Sequence, residues 1–155
     1  MKNVKKINKF DIAIISIIIA IIVIDQISKI IIQKVGNINI EQNTYSISEE
    51  DPNSGMMYIV TNLIIIVIIT RFMLSQNQFI DKVLKVFLSF IIAGGISNLI
   101  DRIVRGYVLE WINISKIDWL PMFNIADILV LVGWILVVGK FTYFTAKELR
   151  RKTEK

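Results

Sequence analysis

The 155 residues include no cysteine and no histidine. The first absence removes disulfides and thiolate nucleophiles, and the second removes Ser-His triads and His-rich metal sites. Any catalysis must come from other groups. What the chain has in excess is apolar surface: 54% of its residues are hydrophobic and the mean hydropathy is +0.61. Both values are too high for a solvent-facing surface, so the first class to test is a membrane protein. Length allows at most one compact domain, and we expect a single integral membrane domain over residues 1–155. The formal charge of +5 does not point to nucleic acid, because the Lys and Arg cluster beside hydrophobic runs, where they face anionic lipid and fix orientation. The excess of Ile, Lys and Asn is a chain-wide bias without functional content. There is no internal repeat and no disordered linker.

Four windows have spanning length, at residues 12–32, 57–74, 83–100 and 123–144. The first covers roughly 30 Å at 1.5 Å rise per residue. A cleavable signal peptide is its alternative, since Lys2, Lys5, Lys6 and Lys9 precede the apolar core, but no small-residue cleavage site follows. The expected fold is an all-α membrane protein of four transmembrane helices. Cytoplasmic loops carry the excess of basic residues. The N-terminal tail, the connection around Arg71, Lys82 and Lys85, and the end from Lys140 to Lys155 hold thirteen of the eighteen Lys and Arg. Both termini are therefore expected in the cytoplasm. The segment with Glu41, Glu49, Glu50 and Asp51, and residues 103–122, are expected outside.

Residues 37–48 alternate apolar and polar around Gln42-Asn43, which predicts a short extracytoplasmic β-hairpin at the membrane surface. Asp51-Pro52-Asn53-Ser54-Gly55 carries turn chemistry. Trp111 and Trp119 fit an interfacial aromatic belt.

Ionisable groups inside spans are costly, so their positions carry information. Here they gather at one depth. Asp25 and Lys29 share a face of the first helix, Asn98, Asp101 and Arg102 fall at i, i+3 and i+4 on the third, and Asn124 and Asp127 lie in the first turn of the fourth. Each has a structural reading: an ion pair whose Lys29 snorkels outward, an interfacial pair of Asp101 and Arg102, a helix cap at Asn124, turn residues at Asn53 and Gly55, and close helix approach at Gly94-Gly95. Asp127 resists that reading, because no basic residue follows it in its helix until Lys140 and it needs a partner from elsewhere. Two carboxyl groups held close share a proton, so that one activates water while the other donates to a substrate carbonyl. This chemistry needs no metal or other cofactor. Composition and spacing do not identify which two acids react, and a small transporter using Asp127, Asp101 and Asp25 as ion or proton sites is the competing class. The apolar middles of spans two and four speak against a conduction path.

The ordered set Asp25-Gln26-Ile27-Ser28-Lys29, Asn53-Ser54-Gly55, Gly94 through Arg102, and Phe123-Asn124-Ile125-Ala126-Asp127 resembles the bacterial lipoprotein signal peptidases (signal peptidase II), over nearly the whole chain. The resemblance implies an intramembrane aspartic endopeptidase of the cell membrane that removes signal peptides from prolipoproteins. It would cut just before a diacylglyceryl-modified Cys, with its active site near the outer face. The family uses two Asp. One lands on Asp127; the other belongs to a Val-Val-Asp-Phe motif whose counterpart here is Val108-Leu109-Glu110-Trp111. Glu110 keeps the carboxyl but is one methylene longer, and misplacement by about 1 Å can cost on the order of a hundredfold in rate. Asp101 is a rival for the second carboxyl, although the family gives it a supporting role beside Asn98 and Arg102. Met56-Met57-Tyr58, Asp51-Pro52 before Asn53, and Ser97 in place of a usual Gly mark a divergent member, with altered substrate choice or lost catalysis as the alternative to an active enzyme. The resemblance thus makes Asp127 and Glu110 the catalytic pair. Asn53, Gly55, Asn98, Asp101, Arg102, Asn124, Asp25 and Lys29 become substrate-binding or supporting residues. The expected partners are lipid-modified prolipoprotein and membrane lipid, and a monomer suffices.

Overall fold

The structure, a computed structural model, describes residues 8–36, 38–44, 54–75, 79–114, 117 and 120–154. Its elements are α1 (Lys9–Val35), β1 (Glu41–Asn43), α2 (Ser54–Leu74), α3 (Lys82–Arg105), β2 (Val108–Glu110) and α4 (Ile125–Thr153). Among the described residues four helices are long and apolar enough to cross a membrane. They contain the four expected windows, apart from the first two residues of the last one. α4 also continues to Thr153, past the apolar stretch.

Local chemistry fixes the helix ends. Asn8 caps α1 in a reciprocal box with Asp11, and Gly36 ends that helix at φ 74°, a left-handed conformation that a Cβ disfavours. Asp81 caps α3, accepting from the Leu84 N–H at 2.9 Å, and Gly106 closes it at φ 79°. Asn124 caps α4 in a second box, this one with Asp127.

α3 is the central element and packs against α1, α2 and α4. Half of its most apolar window is buried, against 11–17% for the other three helices. α1 runs parallel to α3, while α2 and α4 run against it. Two glycines set the α3–α4 crossing: a Cβ at Gly94 would stand 2.5 Å from the Ala126 carbonyl oxygen, and one at Gly133 would stand 2.6 Å from Ile91. Gly95 faces Ile66 and Asn62 of α2. The packing reading of Gly94-Gly95 therefore holds. The outward faces stay apolar; Val60, Leu63, Ile64 and Ile68 of α2 are all exposed, as lipid-facing side chains are.

The interior divides by depth. Toward the start of α3 it is hydrocarbon, with Ile14, Ile69, Met73, Leu84, Leu88, Ile91 and Val137 in one cluster. That end is tied by the Asp81–Lys140 ion pair and by an edge-to-face contact of Phe79 with Phe144 at 5.6 Å. Toward the end of α3 lie the buried polar side chains Asp25, Lys29, Ser97, Asn98, Asp101, Glu110 and Asn124, beside the apolar Val108, Leu109 and Ala126.

The strands differ from the expected hairpin. Gln42 and Asn43, read as its turn, lie within β1, and β1 pairs antiparallel with β2, aligning Glu41 with Glu110, Gln42 with Leu109 and Asn43 with Val108. The partner strand comes from the second loop segment, because the Val108-Leu109-Glu110 backbone, fully buried beside α3, needs its hydrogen bonds made by another strand. Residues 45–48, the other arm of that hairpin, lie outside the described residues. After β2 the chain forms a bridge between Ile112 and Phe123 that leads straight into α4. Trp111 follows β2 and is half-buried, while Trp119 lies outside the described residues.

Candidate active site

The polar end is built around two amides. Asn98 of α3 donates from Nδ2 to Asp127 Oδ1 at 2.7 Å. Its Oδ1 accepts from Lys29 Nζ at 3.1 Å and from Asn124 Nδ2 at 3.0 Å. Asn124 accepts from the Asp127 N–H at 2.9 Å, and its own N–H donates to Asp127 Oδ2 at 3.0 Å. Both oxygens of Asp127 are thus held by donors, one from α3 and one from the α4 cap. The cap reading of Asn124 is correct, and the cap is also what orients Asp127. The second Asn124 Nδ2 proton reaches the Leu109 carbonyl at 3.3 Å, which pins β2 against the start of α4.

Beneath the amides lies a buried ionic cluster. Lys29 is fully buried and contacts Asp25 and Asp101 at 2.7 Å each. With its bond to Asn98, all three ammonium protons are used. The outward-snorkelling reading of Lys29 is therefore wrong. Three acceptors inside the bundle hold the ammonium more favourably than a reach past lipid would. Asp25 also accepts from the Ala126 N–H at 2.9 Å and from Ser97 Oγ at 2.7 Å. It links α1 to the first turn of α4. Asp101 takes Lys29, Gln26 Nε2 at 2.8 Å, and Arg105. Its ionic partners are Lys29 and Arg105, so the expected Asp101–Arg102 pair is replaced by an i, i+4 pair. Asp101 sits with the structural cluster, while Arg102 lines a cleft.

That cleft, about 400 Å³ between α2, α3 and α4, has Asn98, Arg102 and Asp127 at its polar end and Ile65, Leu131 and Trp134 along its apolar length. Glu110 comes from β2 and is buried, with Oε1 accepting from Asn43 Nδ2 at 2.9 Å. Burial pushes its carboxyl above the usual range. The Asn43 bond works against that rise, and the charges of Asp127 and Glu41 add to it. Gly55 lies in the first turn of α2, and Asn53 lies outside the described residues.

The sequence reading missed Gln26, Ser97, Arg105 and Asn43 as members of this network. Gln26 at i−3 from Lys29 and Arg105 at i+4 from Asp101 were visible as helical spacings. Asn43 carried no local signal, since its role depends on pairing with a strand 65 residues away.

Four helices of spanning length around a buried set of acids and amides define a multi-pass membrane protein with a polar site at one end of its bundle. A family model described as signal peptidase (SPase) II matches residues 17–143, and the chain belongs to the signal peptidase II family. The lipoprotein signal peptidase of Staphylococcus haemolyticus is 30% identical over 136 residues, 77% of this chain and 84% of that protein. That of Clostridium tetani is 39% identical over 84 residues, so the match spans about half of each protein, 53% and 54%. Two solved structures, each described as a bacterial membrane enzyme determined by the in meso method, share the fold, each with a TM-score of 0.72 at 24% and 23% identity. They cover 87% and 83% of this chain and 90% and 92% of theirs.

Proposed function

We propose that the protein is an intramembrane aspartic endopeptidase that removes signal peptides from diacylglyceryl-modified prolipoproteins, cutting before the lipid-modified Cys, with Asp127 and Glu110 as its catalytic pair. The observation that carries this reading is the position of Asp127. Its carboxylate is clamped at the polar head of an apolar cleft, and Asn124 links its helix to the strand that bears Glu110. The cleft suits an apolar peptide segment, and its polar end suits the bond to be cut.

The pair shares one proton and titrates as a unit. One carboxylate takes a proton from water as the water oxygen bonds to the scissile carbonyl carbon, while the protonated partner gives its proton to the carbonyl oxygen. Collapse of the resulting diol breaks the C–N bond. The proton taken from water passes to the leaving nitrogen, and a diol proton returns to the pair. Asn98 and Asn124 hold Asp127 throughout. Arg102 at the cleft, together with Asn53 and with Gly55 in the first turn of α2, would pair the exposed NH and CO groups of a bent substrate, which lipid leaves unsatisfied. Asp25, Lys29 and Asp101 tie α1 to α3 and to the first turn of α4, the two helices that carry Asn98, Arg102 and Asp127. β1 and its flanks would cradle the lipid-bearing end of the substrate.

In this reading the chain is one integral membrane domain and acts as a monomer, since one chain supplies both acids. The basic residues put both termini in the cytoplasm and the site near the outer face. A second reading, a silent homologue that binds precursors without cutting them, is favoured by the longer acid at position 110 and by the departures at Asp51-Pro52, Met56-Met57-Tyr58 and Ser97. The test incubates purified protein with a diacylglyceryl-modified prolipoprotein and maps the new terminus by mass spectrometry. We expect cleavage before the lipid-modified Cys and none by Asp127→Asn. Equal cleavage by that variant rejects the catalytic assignment. No cleavage by the native chain, while another family member cuts in parallel, selects the silent homologue.

A further inference from the structure

We infer that Asn43 is the positioning residue for the Glu110 carboxyl, a role that the longer acid at this place creates and that brings β1 into the working site. The inference rests on the catalytic pair proposed above.

Its basis is the ladder. Asn43 is aligned with Val108 and Glu41 with Glu110, so Asn43 and Glu110 are diagonal neighbours on one face of the sheet. Diagonal pairs are about 7–8 Å apart at the backbone, within reach of long side chains only. Glu110 spans that gap and accepts from Asn43 Nδ2 at 2.9 Å. An Asp on the same backbone, one methylene shorter, would fall short of it. The bond engages Oε1 and leaves Oε2 to the proposed chemistry. The extra methylene therefore gives the carboxyl more freedom, and Asn43 takes that freedom away again.

The charged groups around Glu110 make an amide donor the fitting residue. Glu41 stands directly opposite on β1, and Asp127 of α4 adds a second like charge, while Lys29 of α1 is the opposing cation. Asp101 of α3 reaches the neighbouring Leu109 N–H at 3.5 Å and is itself paired with Lys29 and Arg105. Burial and the two like charges push the Glu110 carboxyl upward, and the Asn43 bond is the contact that opposes them most. A carboxylate at position 43 would add a third like charge, and an alanine would remove the donor.

The test combines kinetics with a readout that does not need turnover. Cleavage of the lipid-modified prolipoprotein is measured across pH for the native chain, Asn43→Ala, Asn43→Asp and Glu110→Asp, with Asn43→Ala also placed in the Glu110→Asp background. Difference infrared spectroscopy follows the Glu110 carboxyl, assigned by its loss in Glu110→Gln. We expect Asn43→Ala to lower kcat about tenfold with KM unchanged, because a loosened acid is misplaced more often than substrate is lost. The pH profile and the infrared titration should both move up by roughly one unit, and further in Asn43→Asp. In the Glu110→Asp background the alanine change should do nothing. An unmoved Glu110 titration in Asn43→Ala, or an equal kcat loss with Asp at 110, overturns the inference. If Glu110→Gln cleaves like the native chain, the catalytic pair itself has failed. If Glu110→Gln is inactive while Asn43→Ala behaves natively, only the role of Asn43 has failed.

Discussion

At the scale of single residues, Lys29 shows how one position can be read correctly in place and wrongly in direction. The spacing of Asp25 and Lys29 put them on one face of α1, and both are there. Which way the face looks was not legible, because that depends on Ser97, Asn98 and Asp101 of α3 and on the Ala126 N–H of α4. The same applies to Glu110: the resemblance of Val108-Leu109-Glu110-Trp111 to a family motif singled it out, whereas the hydrogen bond from Asn43 that holds it was not legible. A buried cation serving two carboxylates is hard to remove alone. Lys29→Met is expected to destabilise the protein by about 3–5 kcal/mol, since it strands Asp25 and loosens Asp101 in a dry interior. The combination Lys29→Met, Asp25→Asn and Asp101→Asn should recover much of that loss. Thermal unfolding in detergent measures both, and equal melting of the single variant and the native chain would show that the cluster carries no stability.

At the scale of elements, the helices were legible because length and hydropathy are local, and the cap at Asn124 was legible from its residue type, whereas those at Asn8, Gly36, Asp81 and Gly106 emerge only with the structure. The β1–β2 ladder was not legible. Alternation over residues 37–48 pointed to β structure, of which the described residues hold only the three of Glu41–Asn43, and a strand's partner is a long-range property that so short a strand carries too little pattern to choose. The α3–α4 crossing lies between these cases. Gly94-Gly95 announced a close approach without saying to what, and the structure assigns one glycine to each neighbour, Gly94 to α4 and Gly95 to α2. Gly94→Ala places a methyl group on the Ala126 carbonyl and on Val130, so the start of α4 must move away from α3. Because Asn98 and Asp127 meet across that contact, a shift of about 1 Å is expected to reduce activity on the order of a hundredfold. Gly139→Ala, which meets nothing within 4 Å, should leave activity unchanged. Cleavage rates of the two variants check this, and equal rates would separate the crossing from the chemistry.

At the scale of the whole molecule, the division of the interior into a hydrocarbon half and a polar half repeats along the bundle what the sequence shows along the chain. Acids and amides fall at the end of α1, the end of α3 and the start of α4, and the fold brings those three together at one depth. Among the described residues Lys9, Arg71, Lys82, Lys85 and the basic residues from Lys140 to Lys152 lie toward the opposite end, while Lys29, Arg102 and Arg105 sit with the acids and amides. This arrangement predicts that single cysteines introduced at Ile114 and Lys147 report opposite sides of the membrane. The native chain has none to interfere. Membrane-impermeant thiol reagents on intact cells should label the first and spare the second; the reverse pattern would invert the orientation drawn from Lys and Arg counts. The account depends most on Asp127 and Glu110 acting as one unit. The most direct measurement is a double-mutant cycle in kcat/KM for cleavage of a lipid-modified prolipoprotein by Asp127→Asn, Glu110→Gln and the pair combined. Two acids that share a proton fail together, so each single variant should lose nearly all the activity that the double variant loses. Losses that multiply, or a Glu110→Gln enzyme that still cleaves at the native rate, would contradict it.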